Sequence, residues 1–380
     1  MPTKYDVFAE IIEHAPCKAI DLSFTTPVYA HIRSLLHEGY IKKDGLNYTP
    51  IKNDTTLALF NIIKYCLKNG LDYNRFLSKN MPTIINELFK HAPDLRPKRL
   101  QANKENTALL KYLEENQFIL LVQRRPRKGI ILEHQLFQYI LDMYADKLIV
   151  KTTDYTNIEK NILIIKMDPV NPFSEEVFQF LAGSAQLEGS TVTLGETREL
   201  ILNDIYPDKP EKDIQMVKNL NEAIHYVLEH LEEEITVEHI KELNKLVMFG
   251  LHRNAGRYKT THNRIQGNPA FKTAHPHQVS HLMDAYCTAL QNITAKNICL
   301  ERIGYVHNEL QHIHPFSDGN SRTTRMILNW TLMRHKLPLL VIKMGCFDEY
   351  MRLTKLAKKR NDKRLTMLFQ HVLLHEHLLN

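Results

Sequence analysis

The sequence contains no apolar run approaching the ~18 residues that a membrane-crossing helix needs. Its first residues, MPTKYDVFAE, lack the apolar stretch of a signal peptide. A soluble, cytoplasmic protein without membrane contact is expected. There is also no C-x-x-C pair. The five cysteines, Cys17, Cys66, Cys287, Cys299 and Cys346, are scattered and odd in number, so neither a disulfide framework nor a zinc site is indicated, and buried reduced thiols are expected. No low-complexity linker interrupts the chain, which leaves domain boundaries to be read from changes of pattern. What is present, 380 residues of which 43% are hydrophobic, suits two or three domains with real cores. The net charge of +6 is uneven: residues 1–150 hold 21 Lys and Arg against 16 Asp and Glu. The basic excess belongs to the N-terminal part.

Residues 4–16 have helical apolar spacing, and residues 27–38 form a second strong helix with Pro27 suited to its first turn. After Gly39, two β-prone runs around Asp44-Gly45 signal a hairpin. Helices followed by a two-stranded hairpin is the winged helix-turn-helix order, expected over residues 1–52. NTALLKYLEENQFILLVQRRPRKGIILE repeats the order helix, strand, basic turn, strand, so residues 53–165 read as a second mixed α/β, winged-helix-like region. Its turn, with Arg124, Arg125, Arg127 and Lys128, suits either a solvated loop or a phosphate patch. DNA is therefore one candidate partner of the N-terminal region, and protein docking or dimerisation the other.

From about residue 166 the pattern is almost wholly helical, with 3.6-residue apolar spacing in 174–187, 213–231, 237–250, 276–292, 297–313, 322–335 and 347–358 and a last helix near 363–378. Residues 257–276 interrupt it and read as a short hairpin or irregular arm.

HPFSDGNSRTTR, residues 314–325, carries the chemistry. If a helix starts near Asn320, the turn of Asp318, Gly319, Asn320 and Ser321 points unpaired backbone N–H groups outward, an anion-binding concavity. Arg322 and Arg325 stand against the helix field there and call for an anion. A polyphosphate fits best. Asp318 beside phosphate requires a divalent cation between them, and Mg²⁺ is commonly held by one carboxylate plus phosphate oxygens. A neutral His314 could take a proton from a hydroxyl attacking phosphorus. A competing reading makes His307, His312 and His314 metal ligands, but the five-residue spacing of the first two does not place them on one helix face.

This stretch resembles the signature of Fic proteins, H-x-F-x-[D/E]-G-N-G-R-x-x-R, with Ser321 replacing a glycine. Flanking ERIGYVHNELQHI and MILNWTLMRHKLPLLVI, with ITVEHIKELNKLVMFGLHRNAGRYK, extend the resemblance over most of residues 213–345. It implies a mainly α Fic-type helical bundle with a β-hairpin flap over residues 213–380, and transfer of AMP from ATP to a protein Ser, Thr or Tyr hydroxyl. By the resemblance, His314 is the general base and Asp318 the Mg²⁺ ligand. Gly319, Asn320 and Ser321 line the phosphate nest, and Arg322 and Arg325 hold the outer phosphates. The irregular arm matches the flap, so Ile265, Gln266 and Gly267 are candidates to align the target by strand pairing.

Upstream, Ser174 suits an N-cap, and Thr193 with Glu196 a capping box. Between them Glu188 falls at a helix C-terminus, where negative charge is disfavoured. The segment resembles the Fic inhibitory motif [S/T]-x-x-x-E-[G/N] through Ser184, Glu188 and Gly189. The resemblance implies that Glu188 pairs with Arg325 and blocks productive ATP binding, which makes residues 166–212 an inhibitory helix and linker. Expected partners are ATP and a target protein, with a second copy of the chain a further candidate. The alternatives are a winged-helix regulator with a nucleotide-sensing Fic body, transfer of UMP, phosphate or phosphocholine, and removal of AMP from the target.

Overall fold

The computed structural model describes residues 2–96, 100, 103–144, 155–156, 158–165, 170–265 and 267–379. They divide into two compact units, Met1–Tyr112 with Glu133–Thr152, and Leu113–Leu132 with Thr153–Asn380.

The first unit opens with α1 (Lys4–His14), α2 (Tyr29–His37) and an antiparallel hairpin of β1 (Ile41–Asp44) and β2 (Asn47–Pro50). A capping box between Thr3 and Asp6 starts α1. The hairpin pairs Ile41 with Pro50 and Asp44 with Asn47, and Gly45 supplies a positive φ of 57° in its tight turn. The helix, helix, hairpin order matches the sequence pattern. Val7, Phe8 and Ile11 of α1 are buried, as are Ile32 and Leu35 of α2. Then come α3 (Asp54–Lys68), α4 (Tyr73–Phe76), α5 (Met81–His91), the start of α6 (Lys104–Glu115) and α7 (Gln135–Met143). α3 and α5 both pack on α7.

The second unit is mainly α. β3 (Ile119–Gln123) and β4 (Lys128–Ile131) form its only named strand pair among the described residues. The helices are α8 (Glu159–Ile162), α9 (Glu175–Gln186), α10 (Leu194–Asn203), α11 (Glu211–Glu229), α12 (Val237–Val247), α13 (Val279–Gln291), α14 (Lys296–Ile313), α15 (Asn320–Arg334), α16 (Phe347–Leu353) and α17 (Asp362–Leu379). The helix, strand, basic turn, strand order expected after residue 104 is present, and β3 packs on α17. Ile119, Leu120 and Leu121 are all buried, which accounts for an apolar run without alternation. Two arginines of the basic turn are engaged within the second unit. Arg127 Nε lies 2.9 Å from Glu114, and Arg124 donates to the Leu378 carbonyl.

At the centre lies α15, every residue of which from Asn320 to Met333 is buried. A helix covered on all sides shows little amphipathic pattern, and several of its polar groups find partners in the surrounding backbone, while Arg322 Nε and Thr324 Oγ1 do not. Asn329 accepts from Leu340 N–H at 2.6 Å and donates to Arg325 O at 3.0 Å. α16 ends at Leu353, earlier than its spacing suggested, because Thr354 leaves the helical region with ψ of −105° while its hydroxyl binds the Tyr350 carbonyl. Of the two forms expected for residues 257–276, the irregular arm is the one adopted. Among the described residues its one bridge pairs Tyr258 with Phe316, and Gln266 lies outside them. Among the described residues no helix is long and apolar enough to cross a membrane, and all five cysteines are free and buried.

Candidate active site

The site forms where α14 ends and α15 begins. His314 leaves α14 in a left-handed conformation, φ 49° and ψ 58°, a state non-glycine residues adopt only when their surroundings impose it. The constraint comes from the arm: Lys259 N–H donates to Pro315 O at 2.8 Å, and Lys259 Nζ lies 3.3 Å from Ile313 O. One residue thus grips the carbonyls on both sides of His314. Burial pushes the Lys259 ammonium down to about 8.

His314 is 8% exposed, and its Nδ1 lies 3.2 Å from Gln311 O. A carbonyl only accepts, so the neutral ring carries its proton on Nδ1 and leaves Nε2 as an acceptor. Burial pushes the His314 imidazole down to about 4, outweighing the Gln311 carbonyl, and the charges of Lys259 and Lys355 act in the same direction as burial.

Asn320 closes the turn that follows. Its Oδ1 accepts from Phe316 N–H at 3.0 Å and its Nδ2 donates to Phe316 O at 2.8 Å, so its side chain shapes the nest. Gly319 has a φ of 77°, and a Cβ there would lie 2.5 Å from Met248 Cγ and 2.9 Å from Asn244 Nδ2. Both backbone and space require glycine. Ser321 lies inside α15 without positive φ, so the departure from glycine at this position costs nothing in backbone conformation. The first amide of the helix start paired to a preceding carbonyl is Thr323, to Gly319 O at 2.9 Å. The amides of Asn320, Ser321 and Arg322 are the unpaired donors that a helix start offers an anion.

Asp318 is 59% exposed at its side chain; its Oδ1 accepts from Gly319 N–H at 2.6 Å and lies 3.7 Å from Arg322. Arg322 is buried, donates to Val247 O at 3.4 Å, and its Nε is a buried donor without a partner. Asn244, on α12, ties the pieces together: it donates to Asp318 O at 3.0 Å and accepts from Gly256 N–H at 2.9 Å.

Arg325 is 4% exposed. Its Nε donates to Ser184 Oγ at 2.8 Å, and its NH2 group donates to Ser184 O and Glu188 Oε1, each at 2.9 Å. Glu188 follows the end of α9, where Gly189 turns the chain with a φ of 89°. Its second oxygen lies 3.5 Å from Lys355 Nζ. Burial would raise the Glu188 carboxyl; Arg325, with Lys355 and Arg322, outweighs it and holds the group below its ordinary value.

Three histidines considered as metal ligands go separate ways. His307 Nε2 meets Tyr350 OH at 2.8 Å, His312 Nδ1 meets Lys272 O at 3.1 Å, and His314 turns to Gln311. Among the described residues no three His, Cys, Asp or Glu side chains converge on a metal position.

Asn263 Nδ2 donates to Phe316 O at 2.9 Å, so the arm lies along the motif turn. Ile265 O accepts from Asn268 N–H at 3.2 Å, and Gly267, φ 82°, faces open space. Asn268 Nδ2 reaches Lys355 O and Ala357 O, both at 2.9 Å. Asn268, Tyr350 and Lys355 lie outside the stretches that carry the resemblance, and Asn244 and Lys259 lie inside one of them without a role assigned by it. Only their contacts reveal them.

Residues 234–332 match the model of the Fic/DOC family. A protein adenylyltransferase Fic from Nematostella vectensis is 32% identical over 184 residues, 46% of this chain and 42% of its own. One of the same name from Drosophila persimilis is 26% identical over 295 residues, 72% of this chain and 55% of its own. The chain thus spans about half the length of these relatives. Among solved structures, a Fic domain containing signaling protein from Bacteroides thetaiotaomicron aligns with a TM-score of 0.49 at 22% identity, covering 58% of this chain and 92% of its own.

Proposed function

From a chain that carries a Fic/DOC family domain at residues 234–332, we infer an enzyme that transfers AMP from ATP to a Ser, Thr or Tyr hydroxyl of a protein and is held at rest by Glu188. The observation that carries this reading is a buried, neutral imidazole beside a helix start whose second-turn arginine, Arg325, is occupied by an internal carboxylate 2.9 Å away. The relatives named protein adenylyltransferase support the AMP chemistry.

In this reading the phosphate chain of ATP lies over the amides of Asn320, Ser321 and Arg322, with Arg322 and Arg325 on the outer phosphates. The target hydroxyl approaches His314 Nε2. As its oxygen bonds to the α-phosphorus, its proton passes to Nε2 and the bond from the α-phosphorus to the bridging oxygen breaks, releasing pyrophosphate. Asp318, largely exposed and backed by the Gly319 amide, suits one carboxylate contact to Mg²⁺ completed by phosphate oxygens. That ion would supply charge neutralisation at the phosphates. The arm from Tyr258 to Asn268 would guide the target segment, with Ile265, Gln266 and Gly267 the candidate docking residues. Glu188 opposes all of this by occupying Arg325. The helix, helix, hairpin order of the first unit supports a winged-helix-like docking module over residues 1–52.

The test is incubation of Glu188→Gly with ATP labelled on the α-phosphate and cell extract, followed by mass analysis of labelled proteins. A mass increase of one AMP that disappears with His314→Ala is expected. No labelling by Glu188→Gly, or a different added mass, would overturn the reading.

A further inference from the structure

Glu188 is held by two cations. Its Oε1 takes Arg325, from the motif, at 2.9 Å, and its Oε2 faces Lys355 Nζ at 3.5 Å, from the segment between α16 and α17. The motif accounts for the first and is silent on the second. Lys355 is poorly exposed, with 26% of its side chain accessible. Its segment is held by backbone contacts: Asn268 Nδ2 binds its carbonyl and that of Ala357, and Leu356 N–H donates to Met351 O at 2.8 Å. The ammonium reaches Glu188 from this tethered segment. Its charge is also felt at His314, where it adds to the effects of burial and Lys259.

A carboxylate and a phosphate are recognised by the same donors. When Glu188 leaves, two cations are left together in a poorly hydrated site and require another anion. We propose that Lys355 is a phosphate ligand of the bound nucleotide, a contact supplied from outside the motif. This rests on the ATP-dependent reading above, in which Glu188 occupies Arg325 at rest. Lys355, which faces the second oxygen of the same carboxylate, then serves the nucleotide once Glu188 has left.

The test measures ATP affinity by titration calorimetry in three full-length variants: Glu188→Gly alone, and the same with Lys355→Met or Lys355→Arg. Losing one charge-assisted contact should weaken ATP binding about tenfold in the methionine variant, with arginine restoring most of it. Glu188→Gly binding ATP while the methionine variant binds it equally well would overturn the assignment of Lys355 alone. An arginine variant as weak as the methionine one would overturn it too, because the contribution would then be packing rather than charge. Failure of Glu188→Gly to bind ATP at all would overturn the underlying reading, and this assignment with it.

Discussion

Glu188 Oε1 and the Arg325 guanidinium meet at 2.9 Å across 137 residues of sequence. The carboxylate stands at the wrong end of its own helix, and the arginine near the wrong end of another. Each offsets the other, and Ser184 adds two bonds to the same guanidinium. Releasing Arg325 by Glu188→Gly is expected to raise AMP transfer at least tenfold in an assay with labelled ATP. Unchanged activity would remove the brake from the account.

The same pair contributes stability that depends on pH. Glu188 has a folded-state pKa below its ordinary carboxyl value of 4.5, so its contribution is complete above that value and is lost as pH falls through the lower folded value. Glu188→Gln should be less stable than the native protein by about 1–3 kcal/mol at pH 7. The gap should hold to about pH 5 and shrink below it. Urea unfolding at several pH values measures this, and a gap that widened towards acid would contradict the assigned charge state.

The His314 imidazole is neutral because burial pushes it down to about 4. Its protonation should therefore not limit the reaction near pH 6.5, where an exposed histidine titrates. The kcat/KM of Glu188→Gly is expected to stay flat from pH 8 to about pH 5.5 and to fall below that. An acid limb centred near 6.5 would show the imidazole to be solvated in the working enzyme.

Gly319 is confined by both its φ of 77° and the proximity of Met248. Gly319→Ala should destabilise the fold by about 1–3 kcal/mol and lower activity at least tenfold, since the nest is built on this turn. Adding Met248→Ala relieves the steric part and leaves the backbone strain. Partial recovery of stability, read by thermal unfolding, is the expected result.

Asn268 fastens the arm to the carbonyls of Lys355 and Ala357. In the Glu188→Gly background, Asn268→Ala should raise KM for the target protein and KM for ATP together, because in the proposed reading the arm guides the target and the carbonyl it fastens belongs to Lys355. A change in KM for the target alone would separate the arm's anchor from nucleotide binding.

What the sequence by itself determined, the motif and those helices that spacing or caps named, is local. Ser174, Thr193 and Glu196 announce the ends of α9 and α10 through backbone donors a few residues away. HPFSDGNSRTTR puts base, carboxylate, turn and arginines within twelve consecutive residues. Glu188 was legible only through a second motif. Tertiary structure decided the rest. The complete burial of α15, the irregular form of the arm, the early end of α16 and the roles open to Asn244, Lys259 and Lys355 depend on residues far apart in the chain. Spacing cannot report them: a lysine among KLAKKR reads as one more solvated charge until folding brings Glu188 within 3.5 Å of it.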